Sequence, residues 1–258
     1  MTPRLVKQLL YGAFYFLVIF AIFWLIYVFF LKPIPTCFDK IKNQGEAGTD
    51  CGQPCSPCEI TRLKPLTVNW AVSVPAREDE ISLLAEIANP NPDFGAQSFF
   101  YEFKVIGPFG ALLKNIKGQS FIYAGEKKYL IEPPIKINLQ DVSRVELSIE
   151  KENTVWQSEK EIAKSNLDTR SIKTEITDKN VMVKGLIKNE GPLLISQIKI
   201  LAIIYNRQNN ISGASFTTLT GLKGFEERFF SIELPKNNNA AQLDLNQTKI
   251  FIEPVPSN

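Results

Sequence analysis

The chain has 258 residues, no histidine, and 29 basic against 27 acidic side chains, for a net charge of +2. That balance leaves no basic footprint for nucleic acid. The missing histidine removes the commonest general base and the usual ligand of catalytic metals.

Residues 1–8 form a short tail with Arg4 and Lys7 and no acid. Residues 9–31, LLYGAFYFLVIFAIFWLIYVFFL, carry no charge. At 1.5 Å per residue they predict a transmembrane helix, since a bilayer core is roughly 30 Å thick. A cleaved signal peptide fits less well, because the apolar run is long and no small-residue cleavage site follows. Cys37 is a poor lipoprotein cysteine, because Ile34, Pro35 and Thr36 precede it. A soluble core helix of this length would carry a polar stripe, and none is present. Tyr11, Tyr15, Trp24 and Tyr27 lie toward the two ends, where aromatic belts form. Lys32, Lys40 and Lys42 on the other flank leave the positive-inside count undecided. The short tail and the cysteines place the N-terminus in the cytoplasm and residues 33–258 outside the plasma membrane.

Residues 32–64 form a cysteine-rich module holding Cys37, Cys51, Cys55 and Cys58, which are all the cysteines of the chain. Two arrangements suit the cluster. One is a pair of disulfides stapling a segment too small to bury a core. The other is a zinc site made of all four thiolates, which uses the same close spacings. Outside the membrane disulfides are expected, and three pairings are open. Asp39, Asn43, Glu46 and Asp50 form an oxygen-rich set that suggests calcium. Gly45 and Gly48 oppose the helix that would align the four, and turn-capping is the competing role. The stretch resembles a short motif of microbial secreted and surface proteins, C-x-D-G-x-x-N-x-x-E-x-x-x-D-C-G-G-x-C-x-x-C. Cys37, Asp39, Asn43, Glu46, Asp50, Cys51, Gly52, Cys55 and Cys58 match, while Lys40 and Gln53 replace glycines. The resemblance implies an extracytoplasmic module rather than a chemistry.

From residue 65 the pattern has period two. Ile81, Leu83, Ala85 and Ile87 share one face, as do Val145, Leu147 and Ile149, and Val181, Val183, Gly185 and Ile187. Such alternation marks half-buried strands. NPNPDFG (89–95) and NRQNN (206–210) read as turns. Many short strands between turns predict antiparallel β-sandwiches.

A repeat with an offset of 99 or 100 residues runs through this region. ISLLAEIAN (81–89) aligns with VMVKGLIKN (181–189). Phe99, Tyr101, Phe103 and Val105 align with Ile198, Ile200, Ala202 and Ile204, and Gly125-Glu126 aligns with Gly224-Phe225. Two sandwich domains follow, 65–157 and 171–258, joined by a linker, 158–170. Both resemble the FxLYD-type domain of bacterial surface proteins, an immunoglobulin-like sandwich. IKILAIIYN (198–206) and LKGFEERFFSIELP (222–235) carry the likeness in the second unit, with Tyr205-Asn206 at the family's Tyr-Asp. The first unit carries it in AEIANPNPDFGAQSFFYEFKV (85–105) and YAGEKKYLIE (123–132), with Ile106-Gly107 at that point. The resemblance implies a mainly β, tandem immunoglobulin-like fold and no catalytic centre. Phe109, Phe216 and Phe225 are expected to be edge-of-core residues.

No catalytic constellation and no cofactor-binding motif is present: there is no P-loop, G-x-S-x-G or G-x-G-x-x-G. Ser196 and Lys199 match S-x-x-K on a predicted strand, where chance explains them. Asp79-Glu80 and Glu226-Glu227 read as solvated turns. Asn210 and Asn246 begin glycosylation sequons. The expected protein is a non-enzymatic structural or binding element of the cell envelope. It meets the membrane through residues 9–31 and a protein or envelope partner through its domains. The alternative is an accessory single-pass subunit of a secretion, pilus or transport complex, although the helix lacks a small-residue packing seam.

Overall fold

The computed structural model describes residues 3–31, 35–77, 79–162, 164–235 and 243–255. Its first element is a helix, α1 (Pro3–Ile26), continued by five π-helical residues, Tyr27–Leu31. Proline is tolerated in the first turn because its missing N–H has no intrahelical acceptor there. The apolar window Lys7–Phe29 is 0 % buried. By length and composition it is able to cross a bilayer.

The chain divides between Leu63 and Lys64 into two compact units. The second unit is built of antiparallel strands. They are β1 (Thr67–Arg77), β2 (Glu80–Ala88), β3 (Phe94–Ile106), β4 (Leu112–Ile122), β5 (Lys127–Ile131), β6 (Ile135–Lys136), β7 (Arg144–Ile149) and β8 (Val155–Ser158), then β9 (Leu167–Ile176), β10 (Asn180–Asn189), β11 (Ile195–Asn206), β12 (Ile211–Leu222), β13 (Glu227–Pro235) and β14 (Leu243–Val255).

In the first sandwich, β1-β2-β5 with β6 faces β4-β3-β7 with β8. In the second, β9-β10-β13 faces β12-β11-β14. The strand order repeats, with β1 to β5 matched by β9 to β13. Strand β9 begins at Leu167, so the connection between the sandwiches is shorter than the expected 158–170.

Inward residues alternate as period two requires. Ile81, Leu83, Phe99 and Phe103 fill the first core, and Val183, Ile187, Ile198 and Ile200 fill the second. Two strands break the alternation. β2 buries Ile81 through Ala85 without interruption, and β11 buries Ile200 through Ile204. Each lies in a sheet covered on both faces. A third apolar cluster joins Val74, Leu84 and Ile131 of the first sandwich to Leu201, Ile203 and Ala214 of the second. The two sandwiches therefore stack through their sheets as one body.

Two of the three singled-out phenylalanines depart from expectation. Phe109 is 109 % and Phe225 65 % exposed. Both occupy left-handed turn positions, φ 57° and 60°, and such turns lie at the surface. Phe216 packs into the cluster between the sandwiches.

Candidate functional site

Two places in the molecule concentrate chemistry, the cysteine module and the seam between the sandwiches. In the module Cys37 is bonded to Cys55 and Cys51 to Cys58, with Cα–Cα distances of 5.6 and 4.8 Å. The pairing is first with third and second with fourth. The loops interlace, so each bridge constrains the other. All four sulfurs are thus consumed in S–S bonds, and no thiolate is left for a zinc site. Cys37, Cys55 and Glu46 bring ligand-type atoms within 4.8 Å of one another, but the two sulfurs belong to one disulfide.

The four oxygen-bearing residues of the module hold its turns. Asp39 accepts hydrogen bonds from the Thr36 and Ile41 N–H groups at 3.2 and 2.9 Å and from Asn43 Nδ2 at 2.8 Å. The Asn43 amide, and then those two N–H groups, hold its carboxyl below the usual range. Both oxygens of Asp50 accept from the Lys40 N–H, at 3.1 and 3.0 Å. Glu46 is buried, and its Oε2 accepts from the Asp50 N–H at 3.1 Å. Its Oε1 lies 3.0 Å from Cys55 Sγ. That is a packing contact, since a disulfide sulfur has no proton to donate. Among the described residues, the carboxylates of Asp39, Glu46 and Asp50 do not gather into one ligand cluster. Lys40 has φ 60°, a backbone that glycine alone adopts without steric cost.

At the seam, the chemistry comes from β5, β11 and β14. Lys128 is 7 % exposed. Its Nζ lies 2.7 Å from Glu253 Oε1 and donates to the Phe121 carbonyl at 2.6 Å. It also sits 3.5 Å above the Phe121 ring. Burial pulls its pKa down, and the Glu253 carboxylate opposes that pull. Lys199 crosses in the other direction, donating to the Ile131 carbonyl at 2.9 Å and lying over the Phe216 ring. Burial lowers its pKa too. The Tyr129 and Phe251 ring centroids are 4.1 Å apart across the seam. A small cleft of about 80 Å³, partly open to solvent, runs past Tyr123, Lys128, Tyr129, Lys199, Phe251 and Glu253. Its cations already have protein acceptors, so the seam is built first to hold two sandwiches together.

Sequence reasoning missed this seam. The available signal was the loss of alternation in LAII (201–204) and in SLLA (82–85), which marks strands buried on both faces. Ser196 and Lys199 are three residues apart on β11, so their side chains leave opposite faces and form no nucleophile–base pair. Glu226 is more than a solvated turn residue. It accepts from the Lys223 N–H at 2.7 Å and from the Arg228 guanidinium. The Asn210 sequon is exposed at the β11–β12 hairpin, and the Asn246 side chain lies outside the described residues. Compared with known families and curated proteins, the chain matches no family model and no curated sequence.

Proposed function

We propose that the chain is a membrane-anchored, extracytoplasmic structural or binding protein of the cell envelope, with no catalytic activity of its own. The order of its parts carries this reading. An apolar helix with no protein cover comes first, two closed disulfides come next, and a stacked pair of sandwiches follows. Such a helix calls for lipid, and disulfides persist in oxidising compartments. The N-terminus is then cytoplasmic and residues 33–258 are outside. The sandwiches are read as immunoglobulin-like domains of the FxLYD type. Asn206, at that family's Asp position, supports the reading by accepting the Gln208 and Asn210 N–H groups, both at 2.9 Å, to close its hairpin. A stacked pair keeps its loops and edges in fixed register for a partner, as an envelope spacer or binding element requires.

The test is labelling of intact cells with a membrane-impermeant maleimide, with and without external reductant. Labelling only after external reduction is the expected result. Thiols that react only after lysis, without reductant, would place the module in the cytoplasm and sink the reading. Partner binding lost when the helix is exchanged for an unrelated one would favour an accessory subunit of a membrane complex.

A further inference from the structure

The disulfide module carries apolar surface that its own fold leaves uncovered. Among its described residues Glu46, Cys51 and Cys55 are buried, and two disulfides close it in place of an apolar core. Phe38 is 91 % exposed and Ile41 56 %. Both sit on the turn that Asp39 closes by accepting the Thr36 and Ile41 N–H groups. That carboxylate and the Cys37–Cys55 bridge hold the turn, and neither apolar side chain helps them.

Chain length fixes what lies beside this turn. Phe38 follows Leu31, the end of the helical run, by seven residues. Extended chain spans at most about 3.5 Å per residue, so Phe38 stays within roughly 25 Å of that helix end. With the helix in a bilayer, the turn meets the lipid surface at high effective concentration, whatever path the intervening residues take. The exposed turn residues Phe109, Leu193 and Phe225 come after Lys64 and are under no such constraint.

The charges around the turn do not cancel in ion pairs. Lys40 and Lys42 flank Ile41 and are exposed, and among the described residues neither ammonium has an ion-pair partner. The neighbouring carboxylates are turned into the loop. Asp39 also accepts from Asn43 Nδ2, both oxygens of Asp50 accept from the Lys40 N–H, and Glu46 is buried. An aromatic ring and an isoleucine between free ammoniums suit the boundary between acyl chains and phosphate headgroups.

We propose that the Phe38–Ile41 turn seats the disulfide module on the surface of the bilayer that holds the chain's own helix, making the module a second membrane contact rather than a free spacer. The proposal rests on the anchor reading above. The full chain, with para-trifluoromethylphenylalanine in place of Phe38, is reconstituted in phosphatidylcholine–phosphatidylglycerol nanodiscs and followed by fluorine NMR. The probe keeps an apolar aromatic side chain and adds no thiol to a module whose four cysteines are paired. The expected result is strong broadening by lipids carrying a shallow doxyl group and little by an aqueous gadolinium chelate. Adding Ile41→Ser and Lys42→Gln, with the disulfides verified by mass, should reverse the two responses. A chelate-broadened probe in the otherwise native chain, on protein that resists alkaline carbonate extraction, overturns the module proposal alone. A chain stripped by carbonate overturns the anchor reading and the proposal with it. A probe that neither agent broadens is covered by protein, the chain's own or a second copy's, and also overturns it.

Discussion

Asn89 and Asn189 make the same four hydrogen bonds in the two sandwiches. The N–H of Asn89 donates to the Glu126 carbonyl, and that of Asn189 to the Glu226 carbonyl, at 2.9 and 3.0 Å. Asn89 Nδ2 reaches the Phe94 and Tyr123 carbonyls, and Asn189 Nδ2 reaches those of Leu193 and Lys223. Each Oδ1 accepts the N–H two residues on, from Asn91 and from Gly191. Both side chains are buried, at 3 and 1 % exposure. Each amide ties the loop after β2 or β10 to the turn before β5 or β13 and to the chain entering β3 or β11.

Replacing either asparagine with leucine should therefore destabilise strongly. The substitution keeps the volume but takes the donor from two partly buried loop carbonyls and the acceptor from the N–H two residues on. At 1–3 kcal/mol for each unsatisfied group, a loss of about 3 kcal/mol is expected from either variant. Urea unfolding followed by tryptophan fluorescence measures it. A loss under about 1 kcal/mol would mean that water replaces the amide, and that the asparagine is not the pin of its loop.

The disulfide module makes a graded prediction. The Cys37–Cys55 bridge has a sequence separation of 18 and the Cys51–Cys58 bridge one of 7. On the loop-entropy model they are worth about 3 and about 2 kcal/mol. Changing the first pair to serine should thus raise tryptic cleavage at Lys40 and Lys42 more than changing the second. Lys40→Gly should protect the module, because it relieves a left-handed lysine in the native state. Equal sensitivity of the two serine pairs would show that loop length does not govern the module's order.

Much of this was legible from period two. Phe99 to Val105 and Ile198 to Ile204 form the inward faces that alternation indicated. The repeat was legible to within one residue. Gly125 corresponds to Phe225 rather than to Gly224, since the N–H groups of Gly125 and Phe225 donate to Asn91 O and Gly191 O. The offset falls to 99 in the loop before β11 and returns to 100 by Leu222, because β3 bulges between Ala96 and Phe99, opposite Ser120–Ile122, whereas β11 pairs without a break from Ile195↔Leu222 to Ile198↔Leu219. A bulge of that kind leaves no mark in hydropathy. Compensating volumes were equally hidden. Ala85 faces Leu130 across its ladder, while Gly185 faces Phe230, whose ring would lie 2.8 Å from any added Cβ. The module's pairing was not legible, because spacing alone permits three. The seam was missed because a strand buried on both faces no longer alternates.

Alkaline pH should weaken the fold through two tyrosines. Burial raises the pKa of Tyr101, helped by its 2.6 Å hydrogen bond to Glu132. Burial also raises that of Tyr129, helped by its hydrogen bond to Glu86. Below the ordinary value of 10.0 both phenols are neutral, folded or unfolded, and their contribution is complete. Above it the unfolded chain releases protons that the folded chain keeps, so stability falls as pH rises. Unfolding free energy measured across this range should decline above the ordinary phenol value. Tyr101→Phe should remove up to one proton from the slope. A slope unchanged in Tyr101→Phe would mean that its phenol titrates alike in both states.

The seam allows a sharper test through Lys128 and Glu253. Glu253→Gln leaves a nearly buried ammonium with only a carbonyl and a ring for company, and should cost about 2 kcal/mol. That is below the usual penalty for breaking a buried pair, because the Glu253 side chain is 22 % exposed. Lys128→Met removes the cation and keeps an apolar chain in its place, so the carboxylate can turn to water and the loss should be smaller. Combining the two should recover part of the Glu253→Gln loss, because the double variant no longer buries an unpaired charge. The cycle's coupling energy, roughly 1–3 kcal/mol for groups in contact, then reports the ion pair itself. Additive losses would mean that Tyr129, Phe251 and the apolar cluster hold the sandwiches together without it. In that case Leu201→Asp, which puts a charge into that cluster, should split the unfolding transition where Glu253→Gln does not.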